Sequence, residues 1–546
     1  MNLDIDLNNK IKELLRKIDL NTLQNLAGET VVKAVNSVFS SNVESELAEI
    51  VHLRYGNELL SNKSVRDAIF DVLNENEIGK LCGDIKDCNQ SDSKITKHTK
   101  INKYFSSYTP EKSKVLCDFL GWGPGYYYRP QYDERIGNEI IEVKYGESLS
   151  VKPFLHPYQK LVKDQIIETL QNSHPRFIVQ MPTGAGKTYT ALEAVVDVLR
   201  KPYFNSFIVW LVDSNELCEQ ALGSFRQLWK SKGDSPINIF RLYENFENNF
   251  SRFEKGVAFV GFDKLHSIIS NTNHAFYQET WNLIKRTDLL VVDEAHASVA
   301  ETRQNCIDAF LSTGNTKIVG LTATPARNVS EETEELSRMY GGKLIKLVDE
   351  SKKDIDDPVK YLQDKGYLAN IKGEILETEF SSIESNENRI LKALSEDKKR
   401  NDEILKQIVL ANEEKQPTLV FACTKEHVFA LRVLCKSKNI PVEHITGDVS
   451  QSKRLDILDN FRSGNFFVLI NLGILSTGID VPNVKKLIIT RPINSRIQYS
   501  QILGRALRGP KNGGNPENIV INIKDNITTF PEAGMLYSWF ASDYVY

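Results

Sequence analysis

From about residue 151 the chain alternates short, unbroken apolar runs with longer stretches of helical spacing. FIVQM (177–181), SFIVWLVD (206–213), GVAFVGF (256–262), DLLVVDE (288–294) and TKIVGLTA (316–323) come first. A charged stretch of helical character follows near 385 to 410. TLVFACT (418–424), FFVLINLG (466–473), KKLIITRP (485–492) and ENIVINIKD (517–525) come after it. Runs that are apolar throughout, rather than at every second position, predict strands buried on both faces, as in parallel sheets covered by helices. Two such groups separated by a helical stretch predict two sheets in series.

The first part of the chain has a different texture. Up to about residue 80 it reads as helices: Ile11, Leu14, Leu15 and Ile18 share one face, as do Val31, Val35, Val38 and Phe39, and then Val65, Ile69, Val72 and Leu73. Gly83 to Lys114 is polar enough to suit a long loop or an internal boundary. GWGPGYYYRPQYDERIGNEIIEVKYG (121–146) is aromatic and punctuated by Gly and Pro, which predicts strands and turns. The expected organisation is therefore α/β: a mainly helical accessory domain over 1–150, then parallel-sheet domains over 151–375 and 376–546. A length of 546 residues suits about three or four cores.

Composition narrows the class. Apolar residues make up 41% and charged residues 26%, ordinary for a soluble globular chain. The longest apolar run, Phe207 to Val212, is too short to cross a bilayer, so no membrane is expected. MNLDIDLNNK carries no continuous hydrophobic stretch and does not read as a signal peptide, which points to the cytoplasm. The seven cysteines are scattered, and the closest pair, Cys82 and Cys88, has no second pair at zinc spacing. Reduced thiols are expected, with neither disulfide nor structural zinc. A net charge of -4 denies a globally basic surface but leaves room for nucleic acid in a local groove.

The chemistry starts at PTGAGKT (182–188), between an apolar run and a helical stretch. A phosphate-binding loop needs small residues that let backbone N–H groups approach, a lysine for charge and a hydroxyl for Mg²⁺. Gly184, Gly186, Lys187 and Thr188 provide these. Met181 stands where the strict pattern has its first glycine, which implies a strand that runs further before turning. LLVVDEAHAS (289–298) ends an apolar run on Asp293 and Glu294, suited to a metal and to activating a water.

PTGAGKT, DEAH (293–296), LTATPAR (321–327), LINLGILSTGIDVPNV (469–484) and QILGRALR (501–508) occur in this order, with LHPYQ (155–159) ahead of them. Over roughly residues 150 to 530 this set resembles superfamily 2 helicases and translocases. The resemblance implies two RecA-like lobes and the use of ATP with Mg²⁺. Thr183, Gly184, Ala185, Gly186 and Lys187 would hold the phosphates, and Thr188 with Asp293 the Mg²⁺. Glu294 would be the catalytic base and Gln159 would read the adenine. His296 would link the ATP site to the second lobe near Gln501, while Thr322 and Thr324 would couple hydrolysis to movement. Gly478 and Asp480 would close over the nucleotide, with Arg505 and Arg508 as arginine fingers. Nucleic acid would lie across both lobes near LVDSNELCEQ, VGFDKL, FACTKEH, ITGD, Ser476 and Thr477.

YGGKLI (340–345), PVKYLQDKGYLANI (358–371) and QILGRALR look like the bacterial DNA motors of type I and type III restriction enzymes and of repair or phage-defence helicases. That likeness favours DNA over RNA and implies a protein partner, such as a nuclease, met through the N-terminal domain. An ATP-gated sensor or adaptor that recruits an effector without unwinding is the rival reading. Outside the motor, Asp133 with Glu142 and Lys144 faintly resembles the D…ExK set of Mg²⁺-dependent nucleases. Trp122, Tyr126, Tyr127, Tyr128 and Tyr132 suit either base stacking or the core of a small domain.

Overall fold

Each of the apolar runs supplies a strand. The computed structural model describes residues 2–527 apart from short stretches, the longest being 36–42, 128–137, 143–153, 324–329 and 474–480. The first sheet contains β1 (Asn138–Ile141), β2 (Arg176–Gln180), β3 (Phe207–Val212), β4 (Ile237–Leu242), β5 (Gly256–Gly261), β6 (Thr287–Val292), β7 (Lys317–Thr322) and β8 (Lys343–Ile345). Their order is β1-β4-β5-β3-β6-β7-β2-β8. All pairings are parallel except β1 against β4. β3 is buried along its whole length, and helices pack on both of its faces, as an all-apolar strand requires.

The second sheet is wholly parallel, in the order β11-β12-β10-β13-β14-β9. Its strands are β9 (Asn370–Ser382), β10 (Thr418–Phe421), β11 (Val442–Ile445), β12 (Val468–Asn471), β13 (Lys486–Ile489) and β14 (Glu517–Ile527). The charged stretch before it forms the helices Glu387–Glu396 and Lys398–Glu413, each started by an aspartate or asparagine cap. Both sheets reach past the expected divisions, since β1 precedes residue 150 and β9 begins before 375.

The N-terminal region is helical, and it does not stand apart. Leu47, Val51, Leu59 and Leu60 share one buried core with Val428, Leu431 and Leu434 on the helix Lys425–Ser437 of the second lobe. Polar ties reinforce the seam. Arg54 donates to Glu426 (2.9 Å) and to the Ala27 carbonyl (2.6 Å), and Arg432 donates to the Arg54 carbonyl (2.9 Å). Strand β1 instead joins the first lobe, where Glu139 accepts from Arg226 through both carboxylate oxygens (2.9 and 2.7 Å) and from Arg241 (2.7 Å).

Two expectations need correction here. The polar span 83–114 is not a long loop: it holds the helix Lys94–Phe105 and the start of Pro110–Leu120. Ser93 and Thr109 cap these helices, and sparse apolar positions (Ile101, Phe105, Leu116) suffice to bury one face of each. Nor are all cysteines reduced, because Cys82 and Cys88 form a disulfide. The helix Glu75–Gly83 ends beside Cys82 and the chain turns back, with Ile85 N–H on the Cys82 carbonyl and Cys88 N–H on the Ile85 carbonyl. This leaves the two Cα atoms 5.3 Å apart, within bridging range. Spacing alone could not show that turn.

No helix among the described residues is long and apolar enough to cross a membrane. Trp122 and Tyr126 are buried in the core of the N-terminal helices, with rings 5.3 Å apart, and the Tyr127 hydroxyl is bound to Asp118 (2.7 Å). Tyr128 and Tyr132 lie outside the described residues.

Buried histidines make the second lobe sensitive to acid. His427 has no exposure; its Nδ1 accepts from the Cys423 N–H (3.2 Å), and its Nε2 faces the side-chain Oδ1 of Asn401 (2.9 Å). Burial, aided by the nearby Arg400 guanidinium, lowers its pKa from 6.5 to about 3. A depressed histidine contributes stability that is complete above pH 6.5 and is lost as pH falls toward the folded value. The urea midpoint should therefore drop between pH 6.5 and 4, each such histidine adding up to roughly 1.4 kcal/mol per pH unit. His427→Gln should flatten that slope. An unchanged slope would show that His427 does not set it.

Candidate active site

The functional side chains gather at the carboxyl ends of the interior strands β2, β6 and β7, the usual place for ligands in open α/β sheets. Met181 is fully buried, and its N–H bonds the Thr322 carbonyl (3.2 Å), so pairing between β2 and β7 continues one residue past the strand. The chain then turns through Gly184 (φ 82°) and Gly186 (φ 79°) into the helix Lys187–Leu199. These left-handed conformations explain both glycines. A Cβ on Gly186 would also fall 2.4 Å from the Gln159 amide nitrogen. Gly186 caps the helix without a side chain, which leaves the first-turn N–H groups open to an anion.

Lys187 Nζ lies 3.4 Å from Glu294 and 3.8 Å from Asp293, and its side chain is only 10% exposed. Thr188 Oγ1 donates to Asp293 (3.0 Å). Asp293 stays in register with β3 through its N–H on the Leu211 carbonyl (2.9 Å). Glu294 takes a left-handed conformation (φ 50°), rare for a side chain of this kind, and this turns its carboxylate toward Lys187 and His296. Burial alone would raise the Glu294 carboxyl, yet the Lys187 ammonium and His296 outweigh it and hold its pKa at about 2. For Asp293 burial prevails, with the Glu294 charge adding to it, and its carboxyl is raised.

Other expected residues fall into place less uniformly. His296 is buried, and its Nδ1 faces Thr322 Oγ1 (3.3 Å) and Glu294 (3.4 Å), both in the first lobe. Gln501 lies in the helix Arg496–Leu503 of the second lobe, where its carbonyl accepts from Arg505 Nε (3.4 Å). Gln159 is buried and braces the loop, its Nε2 donating to the Ala185 carbonyl (3.0 Å) while its Oε1 accepts from the His156 N–H (2.9 Å). Thr324, Gly478, Asp480, Ser476 and Thr477 lie outside the described residues, as do Asp133 and Lys144. Glu142 is exposed just after β1, and no group of three or more His, Cys, Asp or Glu side chains placed to hold a metal occurs among the described residues.

The second lobe presses on this loop. A Cβ on Gly504 would fall 2.1 Å from Thr183 Cγ2, so only glycine allows the approach. A Cβ on Gly184 would meet Leu368 and Leu507 at 3.2 Å. Arg505 therefore follows directly on a residue packed against the loop, and Arg508 is paired through its backbone with Leu368. Asp213, which the sequence placed only within the nucleic-acid segment LVDSNELCEQ, follows β3 beside this cluster, has its carboxyl raised by burial, and accepts from Arg303 (2.7 Å). The signal for that place was there, since an acid follows β3 as one follows β6.

The donor set fits a nucleoside triphosphate with its metal. Open helix N–H groups and Lys187 suit phosphates, while a hydroxyl beside a carboxylate offers the hard oxygens that Mg²⁺ prefers. Parallel sheets in tandem, with a phosphate-type loop after β2 and paired acids after β6, define the tandem RecA-like architecture. The chain belongs to superfamily 2 of the helicases. The family described as "Type III restriction enzyme, res subunit" matches residues 152–327, and "Helicase conserved C-terminal domain" matches residues 400–510. Among similar proteins, IRC3 of Saccharomyces cerevisiae is 27% identical over 65% of this chain and 50% of its own length. The EcoKI type I restriction enzyme endonuclease subunit of Escherichia coli is 25% identical over 65% of this chain and 33% of its own. The DNA 3'-5' translocase XPB2 of Sulfurisphaera tokodaii is 25% identical over 61% of this chain and 75% of its own. The chain thus spans half or less of the length of the first two.

Proposed function

We propose that this protein is an ATP-dependent DNA helicase or translocase, built of an N-terminal helical unit and two lobes. The observation that carries the reading is the placement of Lys187, Thr188, Asp293 and Glu294 together at the carboxyl ends of the strands of the first sheet, with the segment around Gly504 packed onto their loop. In this reading the loop N–H groups and Lys187 hold the phosphates of ATP. Thr188 and Asp293 hold Mg²⁺, which when bound would neutralise charge on the phosphates. Glu294, turned toward the site by its left-handed backbone, takes the proton of the attacking water. Arg505 and Arg508 reach the site from the second lobe, so the site is complete only when the lobes close. Nucleic acid across both lobes favours that closure. DNA is the preferred substrate on the likeness to a DNA translocase and to a restriction-enzyme subunit. The likeness to a restriction-enzyme subunit also supports a protein partner. A cytoplasmic setting and a role in repair or anti-phage defence belong to the same proposal.

The test is ATPase rate with and without DNA, beside a strand-displacement assay on one preparation. DNA-stimulated hydrolysis with displacement supports a helicase, and stimulation without displacement supports duplex translocation or an ATP-gated sensor. Turnover indifferent to nucleic acid would overturn the reading. Binding should also fall with salt, at a slope of about -0.9 per neutralised phosphate on duplex or about -0.7 on single strands. Tight, salt-resistant binding to one sequence in a titration series would instead mark a sequence reader.

A further inference from the structure

A chain of hydrogen bonds crosses from the second lobe into the phosphate loop, and two of its members, Asn512 and His156, have no role assigned so far. Its outer end is Asn512, in the tight turn Pro510–Asn512 that follows Arg508. Backbone bonds fix this turn: Asn512 N–H to the Gly509 carbonyl (2.9 Å) and Gly514 N–H to the same carbonyl (3.0 Å). Asn512 Nδ2 donates to the Tyr367 carbonyl (2.8 Å), which orients the amide so that its Oδ1 faces His156 Nε2 at 2.6 Å. With an acceptor opposite, Nε2 is the donor. The His156 N–H then reaches Gln159 Oε1 (2.9 Å), and Gln159 Nε2 reaches the Ala185 carbonyl (3.0 Å) in the middle of the loop.

Packing supports the same path. The His156 ring stacks on Tyr158 (centroids 6.0 Å) and leans on Tyr367 (4.6 Å), and the Tyr158 hydroxyl donates to the Ala185 carbonyl (2.9 Å). Lys511 sits 4.5 Å from the centre of the Tyr367 ring. The Tyr367 carbonyl also accepts from Gly509 N–H (3.1 Å), so the inter-lobe connection and the turn after Arg508 form one piece. The His156–Asn512 hydrogen bond joins this piece to the base of the phosphate loop, beside the apolar contacts that Leu368 and Leu507 make at Gly184.

We propose that His156 and Asn512 are positioning residues, a hydrogen-bonded couple that sets the arginine-bearing segment against the phosphate loop. Neither touches the reacting atoms in this scheme. The couple acts on rate, by holding the segment that carries Arg505 and Arg508 in place, rather than on capture of the nucleotide. This inference rests on the ATPase reading above, and its test separates the two.

The experiment is a double-mutant cycle of His156→Ala and Asn512→Ala in the full chain, with His156→Gln as a conservative variant that keeps a side-chain donor. DNA-stimulated kcat should fall about tenfold in each single variant, the weight of one well-placed hydrogen bond, with the ATP KM within about threefold. The double variant should be no worse than either single, and His156→Gln should recover part of the rate. Thermal midpoints read the same contact without reference to activity, and their losses should likewise fail to add. Additive losses in both measurements, or a change confined to KM, would overturn the proposal. If the wild type hydrolyses no ATP, the ATPase reading fails. The melting cycle then decides the contact alone, non-additivity upholding the tie and additivity removing it.

Discussion

Lys187→Ala will abolish ATP turnover, and it will also lower the stability of the first lobe. The first effect follows from the loss of the ammonium that lies between the phosphate loop and the acids. The second follows from burial. With Lys187 gone, Asp293 and Glu294 face each other with side chains only 4% and 22% exposed and no cation between them. Removing one partner of a buried pair costs roughly 3–5 kcal/mol, and the access of Glu294 to solvent sets the expectation at the lower end. The variant should stay folded with an earlier urea midpoint at pH 7. The deficit has a sign in pH. In the wild type the Glu294 carboxyl is held at about 2, so its contribution is complete above the ordinary value of 4.5 and fades as pH falls toward 2. In the variant both carboxyls rise, and their penalty vanishes once they are protonated. The gap between the two proteins should therefore shrink on acidification. A gap that widens, or ATP turnover near the wild-type rate, would refute the assignment. Glu294→Gln separates binding from chemistry: it keeps the shape and the nucleotide but removes the base. Fluorescent-nucleotide binding should survive while phosphate release stalls.

The arginine variants should fail differently. An arginine finger contributes ~10³–10⁵ in turnover, so Arg505→Ala or Arg508→Ala should cost on that order in kcat and remove stimulation by DNA. Nucleotide affinity should change far less, since Lys187 and the loop belong to the other lobe. Gly504 offers a control in which both arginines remain. Its missing side chain lets the second lobe approach Thr183, and a Cβ there would lie 2.1 Å from the threonine methyl group. Gly504→Ala should thus reproduce the loss by wedging the lobes apart. Stopped-flow phosphate release with and without DNA measures all three. Full stimulation in Arg505→Ala and Arg508→Ala alike would mean that neither arginine completes the site.

How much of this was legible in the sequence depended on where each element lies. The central strands announced themselves because burial on both faces demands an unbroken apolar run, as in Phe207–Val212. Edge strands are buried on one side only and left weaker marks. NIKGEILETEFSS, at the edge of the second sheet, mixes charged and apolar residues with no fully buried position, and VEHI and KLI are short. The active-site loop and paired acids were local patterns and could be read directly. Their surroundings were not. Gln159, read as the adenine contact, also spans His156 and Ala185, a bracing role that its motif did not show. The His156–Asn512 contact joins residues 356 positions apart, and no motif spans such a gap. The association of the N-terminal helices with the second lobe was likewise hidden, because an apolar helix face shows that it must be covered but not by what.

That association has a mechanical consequence. The N-terminal helices share the core of the second lobe, yet strand β1, a few residues further along, is hydrogen-bonded into the sheet of the first. The same stretch of chain is therefore fastened to both lobes, with Tyr127 packed among the helices and Asn138 opening β1. A reporter on the N-terminal helices moves with the second sheet and one on β1 moves with the first. Labels at these two sites would therefore read the spacing of the lobes without altering a single residue that meets nucleotide.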